Sequence, residues 1–226
     1  MPDQYNNILA IDTSSKNLML ALSYGEDRIV KSNDNVEQSH GQMIITKIDS
    51  LLQSVSLKPI DLHAIIVSTG PGSFTGLRIG IAAAKGMAVT LNIPVVAVNL
   101  FELASYKLRE VDENVNIVIP LKKDEFFVTA TLGGIYNPDI KIVSDKKLGG
   151  VMGSSPVAGL NISIAHLFPG YSGKDFSKYL EYDAGDILYL GSRKLELGKI
   201  DDLASLEPMY LQKSQAEINF ELRNKK

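Results

Sequence analysis

The chain has 226 residues, of which 45% are hydrophobic and 22% charged, with a formal net charge of −3 at pH 7. That length can bury one large core or two small ones, and the slightly acidic balance argues against a free-standing nucleic-acid binder, which usually carries a basic surface. The absence of cysteine excludes disulfide frameworks and thiolate metal sites. The N-terminus MPDQYNNILAID lacks the sections of a secretion signal, and the apolar runs are short for a membrane span, so we expect a cytoplasmic protein without membrane contact.

The first hundred residues alternate between strand-like and helix-like patterns. Two buried-strand patterns, NILAID and LMLALS, precede the more exposed RIVKS, and together they predict a β-meander. The order β-β-β-α-β-α-β favours a mixed sheet covered by helices, a ribonuclease-H-like core, over a doubly wound sheet, which would begin β-α-β. The predicted elements are strands at 7–12, 18–23 and 28–32, a helix at 39–56, a strand at 64–69, a helix at about 75–91 and a strand at 95–99.

A second and looser unit follows, joined by a short helix at 101–109. We therefore predict two α/β lobes with mixed sheets, residues 1–102 and a reduced second lobe, 103–226, that ends in a helix and a tail. GGIYNPD and LGGVMGSSP read as turn-rich links. The predicted elements of this lobe are strands at 116–120, 125–132, 139–144 and 156–160 and a final helix at 183–198.

The segment STGPGSFTGLRIGIAAAKGMA, residues 68–88, is unusually rich in glycine. A Walker phosphate loop would need lysine and a hydroxyl after Gly76, where Leu77 and Arg78 stand, and Thr75 occupies the place of the third glycine of a dinucleotide fingerprint. A generic anion site at the start of a helix remains open.

The same segment carries small residues every four positions: Gly76, Gly80, Ala84 and Ala88. Gly80 and Gly86 together cost such a helix about 2 kcal/mol relative to alanine, so close backbone packing has to offset them. Sequence leaves open whether that packing lies inside the chain or between subunits.

Catalytic constellations are mostly excluded. The three histidines, His40, His63 and His166, lack metal-ligand spacing, and Ser73 lacks the flanking glycines of a nucleophile elbow. Asp12 stands out because it ends the first strand and leads into Thr13 and Ser14, the place where enzymes of the actin/Hsp70/sugar-kinase fold begin their phosphate site. The second lobe opens IPLKKDEFF, with lysines where a further acid would help, so the frame of such an enzyme is present without most of its chemistry.

These residues lead to a resemblance. ILAIDTSSKNLMLALS, EQSHGQMI and GPGSFTGLRIG, followed by IPVVAVNLFELA, resemble the bacterial TsaB (YeaZ) family over roughly the first 105 residues. The segment PLKKDEFFV, residues 120–128, departs from the family pattern at Pro120, Lys122 and Asp124, and the tail has Gln212 in place of arginine. The resemblance implies the two-lobed actin/Hsp70/sugar-kinase-like fold without the metal-binding histidine pair of its catalytic homologue TsaD.

The resemblance also implies a function. The chain would be a non-catalytic scaffold that pairs with TsaD, or with a second copy of itself, through the helices at 39–56 and 75–91, with TsaE joining the pair. TsaD would then transfer threonylcarbamoyl to the adenosine beside the anticodon, and transfer RNA would meet this chain only through the complex. The chain would have no cofactor of its own, with ATP or ADP at the subunit junction or on TsaE. The expected interface residues are His40, Met43, Lys47, Gly76, Arg78, Gly80, Ala84 and Ala88.

An independent small-molecule kinase or ATPase of the same fold is the alternative. Only Asp12 with Thr13 and Ser14 favours it, as a nucleotide-binding turn. If the small residues instead serve an interface, Gly80→Leu is expected to cost partner binding more than folding, because a bulky side chain would hold two helix axes apart.

Overall fold

Two sheets flanked by helices make up the residues that the computed structural model describes, 5–36, 40–122, 124–132 and 134–211. The first half contains Ile8–Asp12 (β1), Asn17–Tyr24 (β2), Arg28–Asn35 (β3), His40–Gln53 (α1), Ala64–Gly70 (β4), Phe74–Leu91 (α2), Val95–Asn99 (β5) and Leu100–Lys107 (α3). The second half contains Asn116–Lys122 (β6), Glu125–Leu132 (β7), Ile135–Tyr136 (β8), Lys141–Ser144 (β9), Asp145–Met152 (α4), Val157–Gly159 (β10), Ile164–Leu167 (α5) and Ala184–Glu196 (α6).

The first sheet has the mixed topology that the element order predicts. Its strands lie in the order β3-β2-β1-β4-β5, with β1, β2 and β3 antiparallel and β4 and β5 parallel to β1. The strands β1 and β4 are buried along their whole length and β5 is buried at its three valines, as is usual for parallel strands covered on both faces. The ribonuclease-H-like interpretation is confirmed.

Alternation along β1 divides the core into two. Leu9 and Ile11 face α1 and α2, whereas Ile8 and Ala10 face the cluster that contains α3 and α6. The second of these clusters continues into the other sheet through residues such as Ile117. One continuous apolar core therefore joins the two lobes.

The second sheet is built from short strands in the order β10-β6-β7-β8, with β9 paired to β7. The link LGGVMGSSP, predicted as a turn, proves to be partly helical, because α4 covers 145–152. Its Leu148 and Met152 are fully buried one helical turn apart, so tertiary packing overrides the poor helix propensity of Gly149 and Gly150. This helix is a correction to the sequence-based prediction.

The final helix does not pack where the sequence-based division suggests. On α6, Ile187 and Leu188 are buried, and a Cβ added to Gly191 would lie 2.4 Å from the side chain of Ile66 on β4. Lys194 donates to the carbonyl of Ala97 on β5 at 2.7 Å. The boundary at 102/103 stays a prediction, but α6 covers the first sheet. Ser39, Lys123 and Gln212 lie outside the described residues.

Of the helices that the structure describes, α2 alone is long and apolar enough to cross a membrane by length and composition, with a mean hydropathy of 1.2 over 18 residues. This corrects the expectation that every apolar run is too short. The inner face of α2 nevertheless packs on the sheet through Leu77, Ile81 and Ala84, as a core helix does.

The glycines at the start of α2 let its backbone approach the loop after β1. A Cβ at Gly72 would lie 2.2 Å from the carbonyl oxygen of Ser14, and one at Gly76 would lie 2.1 Å from the carbonyl oxygen of Thr13. Gly80 packs against the same loop, since its Cβ would lie 2.2 Å from Thr13 Oγ1. By contrast, a Cβ at Gly86 would meet nothing within 4 Å. The close approach therefore lies inside the chain.

Two alanine substitutions on one helix test this packing. Gly76→Ala should lower the free energy of unfolding by about 1–3 kcal/mol, because the new methyl group clashes with the backbone carbonyl oxygen of Thr13, which cannot move aside as a flexible side chain could. Gly86→Ala, the matched control, should raise it by about 0.5–1 kcal/mol through helix propensity. Urea unfolding of both variants provides the measurement, and equal effects would contradict the internal close approach.

Candidate functional site

The floor of the cleft between the lobes is formed where β1 ends and α2 begins. Ser73 donates its backbone N–H to the carbonyl of Ser14 at 2.7 Å, and its hydroxyl caps α2 by accepting from the N–H of Gly76 at 3.2 Å. A serine at this position satisfies one of the free donors of the helix start. The loop after β1 and the start of α2 are thus one interlocked unit.

Asp12 is completely buried in this unit. Its carboxylate accepts from the backbone N–H of Ser14 at 2.8 Å and from the hydroxyl of Tyr182 at 3.0 Å. Tyr182 belongs to the segment before α6, and its backbone N–H donates to Asn161 Oδ1 at 2.9 Å, beside β10 of the second sheet. Asp12 and Tyr182 therefore tie the first sheet to the loop of the second.

Burial governs the electrostatics of this pair. Loss of solvation raises the pKa of Asp12 above its ordinary value of 3.8, and the hydrogen bonds from Ser14 and Tyr182 offset part of that increase. Burial and the neighbouring carboxylate raise the pKa of Tyr182 well above 10.0. The phenol consequently acts as a donor to Asp12 throughout the neutral range.

The cleft above this floor has a volume of about 350 Å³. Its walls are largely apolar, and its polar groups come from the loop after β1 and the start of α2. The lining residues include Ser15, Lys16, Ser73, Leu100, Ile119, Leu121, Leu160 and Ile162.

These residues do not fit a magnesium nucleotide. Thr13 is buried like Asp12, and Ser14 is only 6% exposed, so the predicted nucleotide-binding turn offers little accessible surface. The carboxylate that would hold the metal is occupied by Tyr182. Within the described ranges, no three His, Asp or Glu side chains come together as metal ligands.

Most of the predicted interface residues face the chain itself. Gly76, Gly80, Ala84 and Ala88 are buried against the sheet and the loop after β1, which corrects the interpretation that a partner packs on this row. Gly80→Leu is therefore expected to cost folding more than partner binding, the reverse of the sequence-based expectation, because the leucine side chain would clash with Thr13 inside the chain.

The other predicted interface side chains divide between core and surface. His40 is buried, with Nε2 3.3 Å from the carbonyl oxygen of Asn17, and Lys47 forms an ion pair with Asp34. Met43 is partly buried against the core between α1, α2 and the sheet. Arg78 is exposed on α2. Only Arg78 keeps the outward position that the sequence analysis expects.

A second row on α2 faces outward and was missed. Arg78, Ala82, Gly86 and Thr90 also recur every four residues, and all four are exposed. The signal that separates the two rows was present in the sequence, because the large apolar residues Leu77 and Ile81 stand beside the inner row. We call the residues Phe74, Arg78, Ala82, Gly86 and Val89 the outer face.

The outer face is apolar for an exposed surface. Val89 is 68% exposed, and Ile45 on α1 is 58% exposed. Between Arg78 and Val89, the exposed residues of α2 are Ala82 and Gly86, whose small size permits a second backbone to come near. Small residues and exposed aliphatic groups in one surface are suited to a docking helix.

Comparisons with known proteins agree with the resemblance found in the sequence. Residues 32–121 match the family model described as TsaD, tRNA N6-adenosine threonylcarbamoyltransferase. Proteins named tRNA threonylcarbamoyladenosine biosynthesis protein TsaB are similar to the chain: that of Bacillus subtilis is 33% identical over 53% of this chain and 52% of its own length, and that of Haemophilus influenzae is 32% identical over 53% and 51%. The chain thus spans about half the length of the curated relatives it matches.

A solved structure extends the likeness of the fold to both lobes. YeaZ from Pseudomonas aeruginosa superposes with a TM-score of 0.68 at 23% identity, over 91% of this chain and 100% of that chain. The predicted two-lobed fold and the resemblance to the TsaB (YeaZ) family are confirmed.

The buried carboxylate leads to a pH prediction. Because its folded-state pKa lies above 3.8, the folded chain binds this proton more tightly than the unfolded chain, so the stability it contributes is complete at low pH and falls as pH rises through the folded-state pKa. Asp12→Asn does not ionise and should therefore gain stability relative to the wild-type chain between pH 4 and pH 8. Urea unfolding across that range measures it, with the exposed Asp139→Asn as control. A flat difference for Asp12→Asn, or the same trend in the control, would contradict the account.

Proposed function

We propose that this chain, which resembles the TsaB (YeaZ) family, is a non-catalytic subunit required for forming threonylcarbamoyladenosine in transfer RNA. In this proposal it holds TsaD in an active form, TsaE joins the pair, and TsaD transfers threonylcarbamoyl to N6 of the adenosine. Transfer RNA meets the chain only within the complex. The observation that carries the proposal is the outer face of α2, together with the names of the similar proteins.

Gly86 supports the docking role most directly. A glycine inside a helix costs about 1 kcal/mol relative to alanine, and nothing in the described part of the chain occupies the space above it. Gly72, Gly76 and Gly80 are each explained by contact with the loop after β1, but Gly86 is not. A neighbouring protein backbone that packs against α2 would explain it. We infer that this partner is TsaD, and that a second copy of the chain covers the same face when TsaD is absent.

The occupied cleft floor supports a role without catalysis. A kinase or ATPase of this fold needs its first carboxylate accessible to a metal or a water molecule, whereas Asp12 is buried and bonded to Tyr182. We infer that the isolated chain turns over no nucleotide and that any ATP or ADP in the complex lies at the subunit junction or on TsaE.

Reconstitution tests the proposed function. Purified TsaD, TsaE and the adenylate-forming enzyme should modify transfer RNA in the presence of this chain and fail without it, while the chain alone transfers nothing. Full modification in its absence would overturn the proposal. Magnesium-dependent ATP turnover by the isolated chain that Asp12→Asn abolishes would establish the kinase or ATPase alternative instead.

Leucine substitutions of two open helix glycines test the docking face. Gly86→Leu should weaken TsaD binding roughly tenfold or more, because a side chain at the centre of a helix contact keeps the two backbones apart. Gly149→Leu on α4 is the matched control, since a Cβ there also meets nothing within 4 Å. Isothermal titration with TsaD measures binding, and equal effects of both variants would contradict docking on α2.

A further inference from the structure

One end of the outer face carries a cluster of two aromatic rings and a guanidinium group. Arg78 stacks on Phe74, with 4.0 Å from its Cζ to the ring centroid, and its Nε donates to the hydroxyl of Tyr210 at 2.9 Å. The two rings contact each other with centroids 5.3 Å apart. Phe74 is 38% and Tyr210 43% exposed, so the cluster is part of the surface.

Tyr210 reaches this position because the segment after α6 is attached along the first lobe. Leu206 is buried, and its carbonyl accepts from Lys85 Nζ on α2 at 3.1 Å. Met209 donates its N–H to the carbonyl of Thr69 at the end of β4, at 2.9 Å. The chain therefore brings a distant residue to the first turns of α2, and that residue holds the side chain of Arg78 in one orientation.

Within the part of the chain that the structure describes, one edge of the Arg78 guanidinium group has no partner. Its Nε is used by Tyr210, whereas neither Nη1 nor Nη2 has an acceptor among the residues that the structure describes. No acidic residue occurs between 74 and 91, so its own helix supplies no counter-charge. A cation this near the positive end of the helix dipole does not stabilise the helix. Neither the described contacts nor helix stability accounts for the charge at this position.

We propose that Arg78 receives a carboxylate of the partner protein, an Asp or Glu side chain bound by both Nη groups. This inference rests on the proposed docking of TsaD and specifies the chemistry of one contact in it. The free edge with two parallel N–H donors matches the two oxygens of a carboxylate, and arginine alone offers this fork. Charge complementarity across the contact favours the correct register of the partner on the outer face.

Phe74 and Tyr210 are positioning residues in this proposal. Stacking fixes the plane of the guanidinium, and the bond from Nε to Tyr210 directs the remaining edge away from the chain. Because the orientation is set before binding, less side-chain freedom is lost when the partner docks. Loss of the Tyr210 hydroxyl should therefore weaken the contact without removing the charge.

Binding of purified TsaD to full-length variants tests the proposal. Arg78→Gln and Arg78→Lys should each weaken binding roughly tenfold or more, since lysine keeps the charge but not the fork, and Tyr210→Phe should weaken it less. Arg28→Gln is the matched control: Arg28 also lies over a ring, that of Tyr24 at 4.6 Å, but at the start of β3. Thermal unfolding of each variant confirms that the fold is retained.

The outcomes separate this inference from the function on which it rests. If the wild-type chain binds TsaD and Arg78→Gln or Arg78→Lys binds equally well, the carboxylate contact alone is overturned. If the wild-type chain does not bind TsaD, the carboxylate contact and the proposed docking are both overturned. A chain that ends at Leu211 and binds TsaD more tightly than the full chain would assign Arg78 to the chain's own terminal segment and overturn the proposal. An Arg78 effect on self-association but not on TsaD binding would likewise overturn it.

Discussion

The structure depends on the contact between the start of α2 and the backbone at Thr13 and Ser14. Three glycines remove the side chains that would separate the helix from this loop, and a fourth position, Ser73, adds a backbone hydrogen bond and the helix cap. This contact decides which row of α2 faces the sheet, and the opposite row is exposed as a result. The same glycines therefore determine which residues of α2 are buried in the core and which form the outer face.

The loop after β1 also connects the outer face to the interior. Thr13 touches α2, while its neighbour Asp12 is bonded to Tyr182, which is held by Asn161 beside the second sheet. A displacement of α2 would therefore alter the position of the Asp12 carboxylate and, through the hydroxyl of Tyr182, its contact with the second lobe. Asp12 and Thr13 therefore link both lobes and α2 through one short loop.

The strands of the first sheet and the helix at 74–91 could be predicted from the sequence because buried strands and capped helices have strong local patterns. The glycine-rich segment correctly indicated close backbone approach, but spacing alone could not choose between rows that share a period of four. Leu77 and Ile81 could have made that choice. The bond between Asp12 and Tyr182 joins residues 170 positions apart, and no local pattern reports such a pair. The helix at 145–152 was also missed, because it depends on the burial of Leu148 and Met152 against distant parts of the chain and not on a local pattern.

The position of α6 has a consequence for the synthesis of the chain. Residues 184–196 cover one face of a sheet whose strands all precede residue 100, and Tyr210 completes the surface around Arg78. While the ribosome is still translating the second lobe, the first sheet has emerged with one apolar side uncovered, in the condition that favours aggregation or chaperone capture. The surface around Arg78 is complete only once Tyr210 has been synthesised and has folded back onto α2.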